Sequence, residues 1–250
     1  MRFAIIGAAL AWAAVSAGSA PAQNPPAAPA VERAVLAGTK LPDLTAQPVS
    51  FCGLSVTIPA NAASHIIAGS NAILYQLGGS TEIATGGATK TLGPGEALFV
   101  AGGHEVFLKA VGDEPSRSLH FVLVRGSVFD SPVPTEPAFV TELFRTSAPI
   151  PDLKPGAYEV NLTRVTFPPK MAANPPHHRS GAALYYMLSG TGANTAAGNT
   201  VEKGPGSVIY EPSNLVHQWG NPGSEPFTFL AFNINPEGEP AVVPEAPAKP

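Results

Sequence analysis

The residues best suited to chemistry lie in the second half, where Pro175-Pro176-His177-His178 is followed by Gly206, Pro212, Asn214, His217 and Asn221. Neutral imidazoles converging from two facing walls of a small barrel, each nitrogen within about 2.0–2.2 Å of an ion, make a metal site. His177, His178 and His217 are therefore candidate ligands for a divalent metal, and a histidine set suits Fe, Zn, Mn, Ni or Cu. Glu211 stands in the predicted strand that leads to His217. A carboxylate in an apolar strand needs a cation or hydrogen-bond donors, or its pKa rises. Facing inward, Glu211 supplies an oxygen ligand or an acid/base group; facing outward, it ends the strand beside Pro212 in water. Tyr185 and Tyr186 are neighbours on a predicted strand, so they point to opposite faces and one of them can offer a phenol to a substrate. Tyr186 and Glu211 are the candidate catalytic residues, with core packing the competing role for both tyrosines and for Trp219. Arg164 and Arg179 can pair with an acidic ligand, although solvation is the expected default for both. No Gly-x-Ser-x-Gly elbow, His-Glu-x-x-His helix or phosphate loop occurs.

These side chains need a β frame to bring them together. The chain holds 25 Gly and 28 Pro, so few windows run three helical turns without a breaker, while short β-rich runs recur at turn-sized intervals. Strands are predicted at 54–58, 72–77, 97–100, 119–124, 159–167, 183–188, 207–211 and 227–233, which makes the class all-β. The single cysteine, Cys52, excludes an intramolecular disulfide, and its apolar neighbours point to a buried, inert thiol.

An internal repeat organises the strands. Val56-Thr57-Ile58-Pro59 aligns with Val165-Thr166-Phe167-Pro168, residues 72–79 with 183–190, and Gly93-Pro94-Gly95 with Gly204-Pro205-Gly206. The offset is about 109 for the first pair and about 111 afterwards, as a duplicated domain with a small loop change would give. The Pro-containing stretch 131–136 divides the halves, giving a first unit at 50–130 and a second at 137–237. Residues 23–49 read as an extended lead-in and 238–250 as a Pro-rich mobile tail.

The histidine, glycine, proline and asparagine positions quoted above resemble the two cupin motifs. In that family the first motif is a histidine pair, a carboxylate and a glycine; the second is a glycine, Pro-x-Gly, a histidine and an asparagine. Gly206, Pro212, His217 and Asn221 keep the second motif's spacing, with Asn214 in place of a glycine. The resemblance implies two tandem jelly-roll barrels, a bicupin, with the better-preserved site in the second. Two departures stand out. The family's glutamate is replaced by Ala182 or Ala183, and the histidine pair is adjacent where the family has one residue between. Adjacent strand residues face opposite ways, so one of the pair points inward, and His178, nearer the strand, is favoured. In the first half only His65 and His104 fall near motif positions, and that half is expected to be structural, a weaker second ion being the alternative. His120 lies on a predicted strand away from the motifs.

Two function classes follow from this resemblance. One is a metal-dependent oxidoreductase, dioxygenase-like, or a lyase or isomerase acting on a small oxygenated substrate. The other is a non-catalytic barrel that binds a small molecule without a metal, which loss of the carboxylate favours. Net charge is −4 with 13% charged residues, so no basic stripe exists for nucleic acid. Residues 1–22 carry a positive charge, an apolar run and small residues, the pattern of a secretory signal peptide cleaved after Ala22 or, second, Ala20. A periplasmic or secreted protein, free of the membrane after cleavage, is expected; the sequence fixes no choice between monomer and homo-oligomer.

Overall fold

The computed structural model describes residues 30–44, 48–68, 70–125 and 134–245, so the leader at 1–22 lies outside the described residues. Every regular element among the described residues is a strand. The first half contributes β1 (Glu32–Leu41), β2 (Val49–Ile58), β3 (Ala63–Ala68), β4 (Asn71–Gly78), β5 (Ser80–Thr85), β6 (Ala88–Leu92), β7 (Ala97–Val100), β8 (His104–Val111) and β9 (Ser116–Arg125). The second contributes β10 (Phe139–Arg145), β11 (Tyr158–Phe167), β12 (His177–Arg179), β13 (Ala182–Ser189), β14 (Gly192–Ala196), β15 (Asn199–Lys203), β16 (Val208–Glu211), β17 (His217–Gly220), β18 (Phe227–Pro236) and β19 (Val242–Pro244). Seven of the eight predicted strands fall inside observed ones, and the eighth, 207–211, starts one residue before β16. The repeat carries through to the element bounds: β2 and β11 are offset by 109 residues, and β4/β13, β7/β16 and β9/β18 by 111.

The strands form four sheets, in orders β3-β8-β5-β6, β10-β2-β9-β4-β7, β1-β11-β18-β13-β16 and β15-β14-β17-β12-β19. Three apolar cores stack them. Val56, Leu74, Val100, Leu108 and Val122 fill the first half, and Phe167, Tyr185, Trp219, Phe227 and Phe229 the second. A third core, with Phe51, Ile73, Phe121, Leu162, Leu184 and Phe232, lies between the halves. This stacking explains the sequence patterns. Outer strand β8 buries only alternate residues, Val106, Leu108 and Ala110, whereas β9 and β18 are apolar on both faces because each lies between two cores.

The sequence division is crossed twice by hydrogen-bonded strands. β1, in the segment read as a lead-in, pairs with β11 in the second half's sheet, and β10 pairs back onto β2 in the first. Each exchanged strand covers an edge next to the equivalent strand of the other half. The described part of the tail, residues 238–245, contains a strand: β19 pairs with β12, because its backbone completes the edge that β12 presents. The exchange ties the halves together by strand pairing, which predicts that they unfold together. Phe144 of β10 packs against Tyr210 of β16 at 6.0 Å between ring centres. Phe144→Ala should cost about 2 kcal/mol, and urea unfolding followed by far-UV circular dichroism should keep a single transition; a split transition would show independent halves.

Candidate ligand-binding site

Strand alternation on β12 builds the floor of the site. His177 and Arg179 turn inward, each 7% exposed, and His178 turns outward to the carboxylate of Glu245. His178 is thus not the inward member of the pair, contrary to expectation; His177 is, in register opposite His217 of β17. Two residues after His177, where the family pattern has its second histidine, the chain places Arg179. Its expected solvation does not hold: Arg179 is buried, while Arg164 stays exposed, its charge acting on the Tyr75 phenol.

Glu211, 1% exposed at the end of β16, faces inward. Its cross-strand neighbour on β13 is Ala183, one of the two positions where the family's glutamate is missing, so a carboxylate returns to the same level of the barrel from the adjacent strand. Trp219 Nε1 donates to Oε1 at 2.9 Å, and Arg179 Nε donates to Oε2 at 3.2 Å. Burial opposes ionisation of Glu211, but the His217 ring, the Arg179 charge and the Tyr185 phenol outweigh it and hold the carboxyl below its usual range. Arg179 also donates from Nη1 to Asn233 Oδ1 at 3.0 Å and from Nη2 to the Tyr185 hydroxyl. Burial keeps that phenol well above its ordinary pKa, hence neutral.

Both histidines carry a proton on Nδ1, held there by backbone carbonyls. His177 Nδ1 donates to Pro175 O at 2.9 Å and His217 Nδ1 to Leu215 O at 2.8 Å, since a carbonyl can only accept. Their ring centres are 4.3 Å apart, and burial lowers the His177 pKa, which favours the neutral form with a bare lone pair on Nε2. His217 Nε2 is buried 3.0 Å from Glu211 Oε2 without a directed hydrogen bond.

That orphaned nitrogen is the observation on which a metal must be tested. Among the described residues, no group of three or more His, Cys, Asp or Glu is placed to hold an ion. Both oxygens of Glu211 already accept from Trp219 and Arg179. The guanidinium puts a fixed positive charge beside the carboxylate a cation would need. The donor set as arranged does not fit a resident divalent ion.

Above this floor is a cavity of about 250 Å³. Phe167, Trp219, Phe229 and Ala231 form an apolar wall, and Asn161, Asn174, Asn233, His177 and Arg179 supply polar atoms. The terminal segments complete it: Arg33 and Val35 of β1 on one side, Ala241 and Val242 of the tail on the other. Tyr186, the expected acid/base, lies elsewhere. Being next to Tyr185 on a pleated strand, it points to the opposite face and packs on the core between the halves. Alternation outward from His177 was the signal that would have found Arg179; Asn233 and Asn161 carried none.

Among the described residues the interior of the first half holds no comparable cavity; its larger hollow, about 370 Å³ beside His65, Phe107 and Thr135, is an open surface groove. Val100 occupies the repeat position of Glu211, His120 that of Ala231, and the remaining void, about 20 Å³, is lined mostly by aliphatic residues. His65 bonds Thr135 Oγ1 at 3.1 Å and His104 is exposed; on paired strands β3 and β8 they are out of register and do not converge.

The family model of the cupin domain matches residues 163–233, the stretch that holds this site. Residues 163–233 thus form a cupin domain. Over most of its length the chain is similar in fold to solved structures at low identity. Bacillus subtilis oxalate decarboxylase, a protein with Mn(II) centers, is 13% identical with a TM-score of 0.58, covering 80% of this chain and 72% of that one. A variant of salicylate 1,2-dioxygenase from Pseudoaminobacter salicylatoxidans is 11% identical, TM-score 0.53, covering 77% of each chain. The putative glyoxylate induced protein from Pseudomonas aeruginosa is 15% identical, TM-score 0.51, covering 74% of each. No curated protein matches the sequence significantly.

Proposed function

We propose that this cupin binds a small organic carboxylate in its second barrel without a resident metal ion, and that its leader exports it to the periplasm or the exterior. The observation that carries the reading is Arg179. A guanidinium has five N–H bonds; three of them here reach Glu211, Asn233 and Tyr185, and two have no acceptor among the described residues while the side chain lines the cavity. Two parallel N–H bonds are the fork that takes a carboxylate. Glu211 neutralises Arg179, and among the described residues no Asp or Glu lines the cavity to repel an anion. The bare Nε2 of His177 accepts from a hydroxyl on the same ligand, and the aromatic wall takes its apolar body. Metal-dependent oxidoreductase, lyase or isomerase chemistry is the competing reading.

Two measurements separate these readings: elemental analysis of protein purified without a metal-binding tag, and calorimetric titration with a panel of small aliphatic and aromatic hydroxy-carboxylates. Less than about 0.1 ion per chain together with carboxylate binding that Arg179→Met abolishes is the expected result. Close to one ion per chain, lost in His217→Ala, would overturn it in favour of a His177–His217–Glu211 metal centre.

A further inference from the structure

The cavity's tail wall is built unlike the rest of it. The β18–β19 turn is pinned at its base, where Glu237 pairs with Lys40 at 2.6 Å and Glu239 with Lys154 at 2.7 Å. Beyond Pro240 the chain lays a three-residue strand along the edge of β12, with Val242 opposite Arg179, Val243 opposite His178 and Pro244 opposite His177. Glu245 fastens the end, its N–H donating to Pro176 O at 2.9 Å and its carboxylate meeting His178 Nδ1. None of Ala241, Val242, Val243, Pro244 or Glu245 is buried, yet Ala241 and Val242 line the cavity. The segment therefore shields the site while contributing little apolar area to any core, and short edge pairing of that kind opens at low free-energy cost.

We propose that residues 241–245 are a strap that closes the cavity and swings aside to admit ligand, latched by the contact between Glu245 and His178. Opening it removes the wall that faces Arg179, so access to the cationic end of the cavity runs through the strap. His178, which no interior role explains, becomes the keeper of the latch. The proposal concerns access to the cavity and holds whatever ligand, or ion, the cavity takes.

Trp219 reports on it directly, because it lines the cavity at 2% exposure and is the only tryptophan besides Trp12. In a Trp12→Phe background, acrylamide quenching of Trp219 is compared between the full chain, a chain ending at Pro240, and a His178→Cys/Val243→Cys pair. The truncated chain should be quenched at least about threefold more steeply, and the oxidised cysteine pair less steeply than the full chain, with reduction restoring the original slope. Equal quenching of the truncated and full chains would show that the segment does not close the cavity. An oxidised pair that quenches like the full chain would show a fixed wall and overturn the gating. Because acrylamide is the probe, failure to find a carboxylate ligand leaves this test intact, and a failed strap leaves the binding measurement intact.

Discussion

Arg179→Met should destabilise the protein by about 3–5 kcal/mol and remove carboxylate binding altogether, because it leaves Glu211 ionised and enclosed without its cation. The loss is larger than a side-chain packing change accounts for, since methionine keeps most of the volume of the arginine stem. Tyr185 and Asn233 lose donors in the same step. A double-mutant cycle gives the cause. Adding Glu211→Gln to Arg179→Met should return much of the stability, as the uncompensated charge is gone, while binding stays abolished because the fork is gone. Equilibrium unfolding in urea and calorimetric titration of the four proteins test both halves of the claim. A loss below about 1 kcal/mol for Arg179→Met would mean that water reaches Glu211 and that the pair is not sealed as described.

Acid should weaken the first half through His120. This residue is 2% exposed between Ile66, Leu74, Val106 and Val122, with Ser118 Oγ 3.1 Å from its Nε2, and burial pushes its pKa down to about 3. The folded value lies below the unfolded value of 6.5, so between them the unfolded chain holds a proton that the native state refuses. Stability is complete above the unfolded value and falls as pH drops, by roughly 1.4 kcal/mol per unit, reaching roughly 2 kcal/mol by pH 5 and roughly 4 kcal/mol near pH 3. His177, also lowered by burial, adds in the same direction over the same window, and Glu211, held low, adds its loss only below the ordinary glutamate range. His120→Leu should remove the largest share of the slope between pH 7 and pH 5 while leaving carboxylate binding unchanged. Unfolding free energies at several pH values measure it; an unchanged slope in the variant would place the titration elsewhere.

The metal expectation shows how far a motif carries. The His177-His178 pair and His217 were legible as candidates because their spacing from glycine and proline positions is a local property of the chain. What the arrangement can hold depended on Arg179 and Glu211, which come from different strands and meet only across the barrel. His178 was misjudged through proximity to the next strand; which of two adjacent residues faces inward is set by the register with β17, a long-range pairing.

The sequence by itself determined the class and the repeat. Turn residues at short intervals and β-rich runs between them are local signals, and the equal offsets survive in the strand bounds because each half folds by the same local rules. Tertiary structure alone decided three things. It exchanged β1 and β10 between the halves, a choice governed by which exposed edge each strand can cover. It turned Tyr185 into the cavity and Tyr186 against the other half, since alternation fixes that the two differ but not which faces where. And it enclosed Arg179 against Glu211, because a buried charge is tolerated only where a partner from a distant part of the chain is already in place.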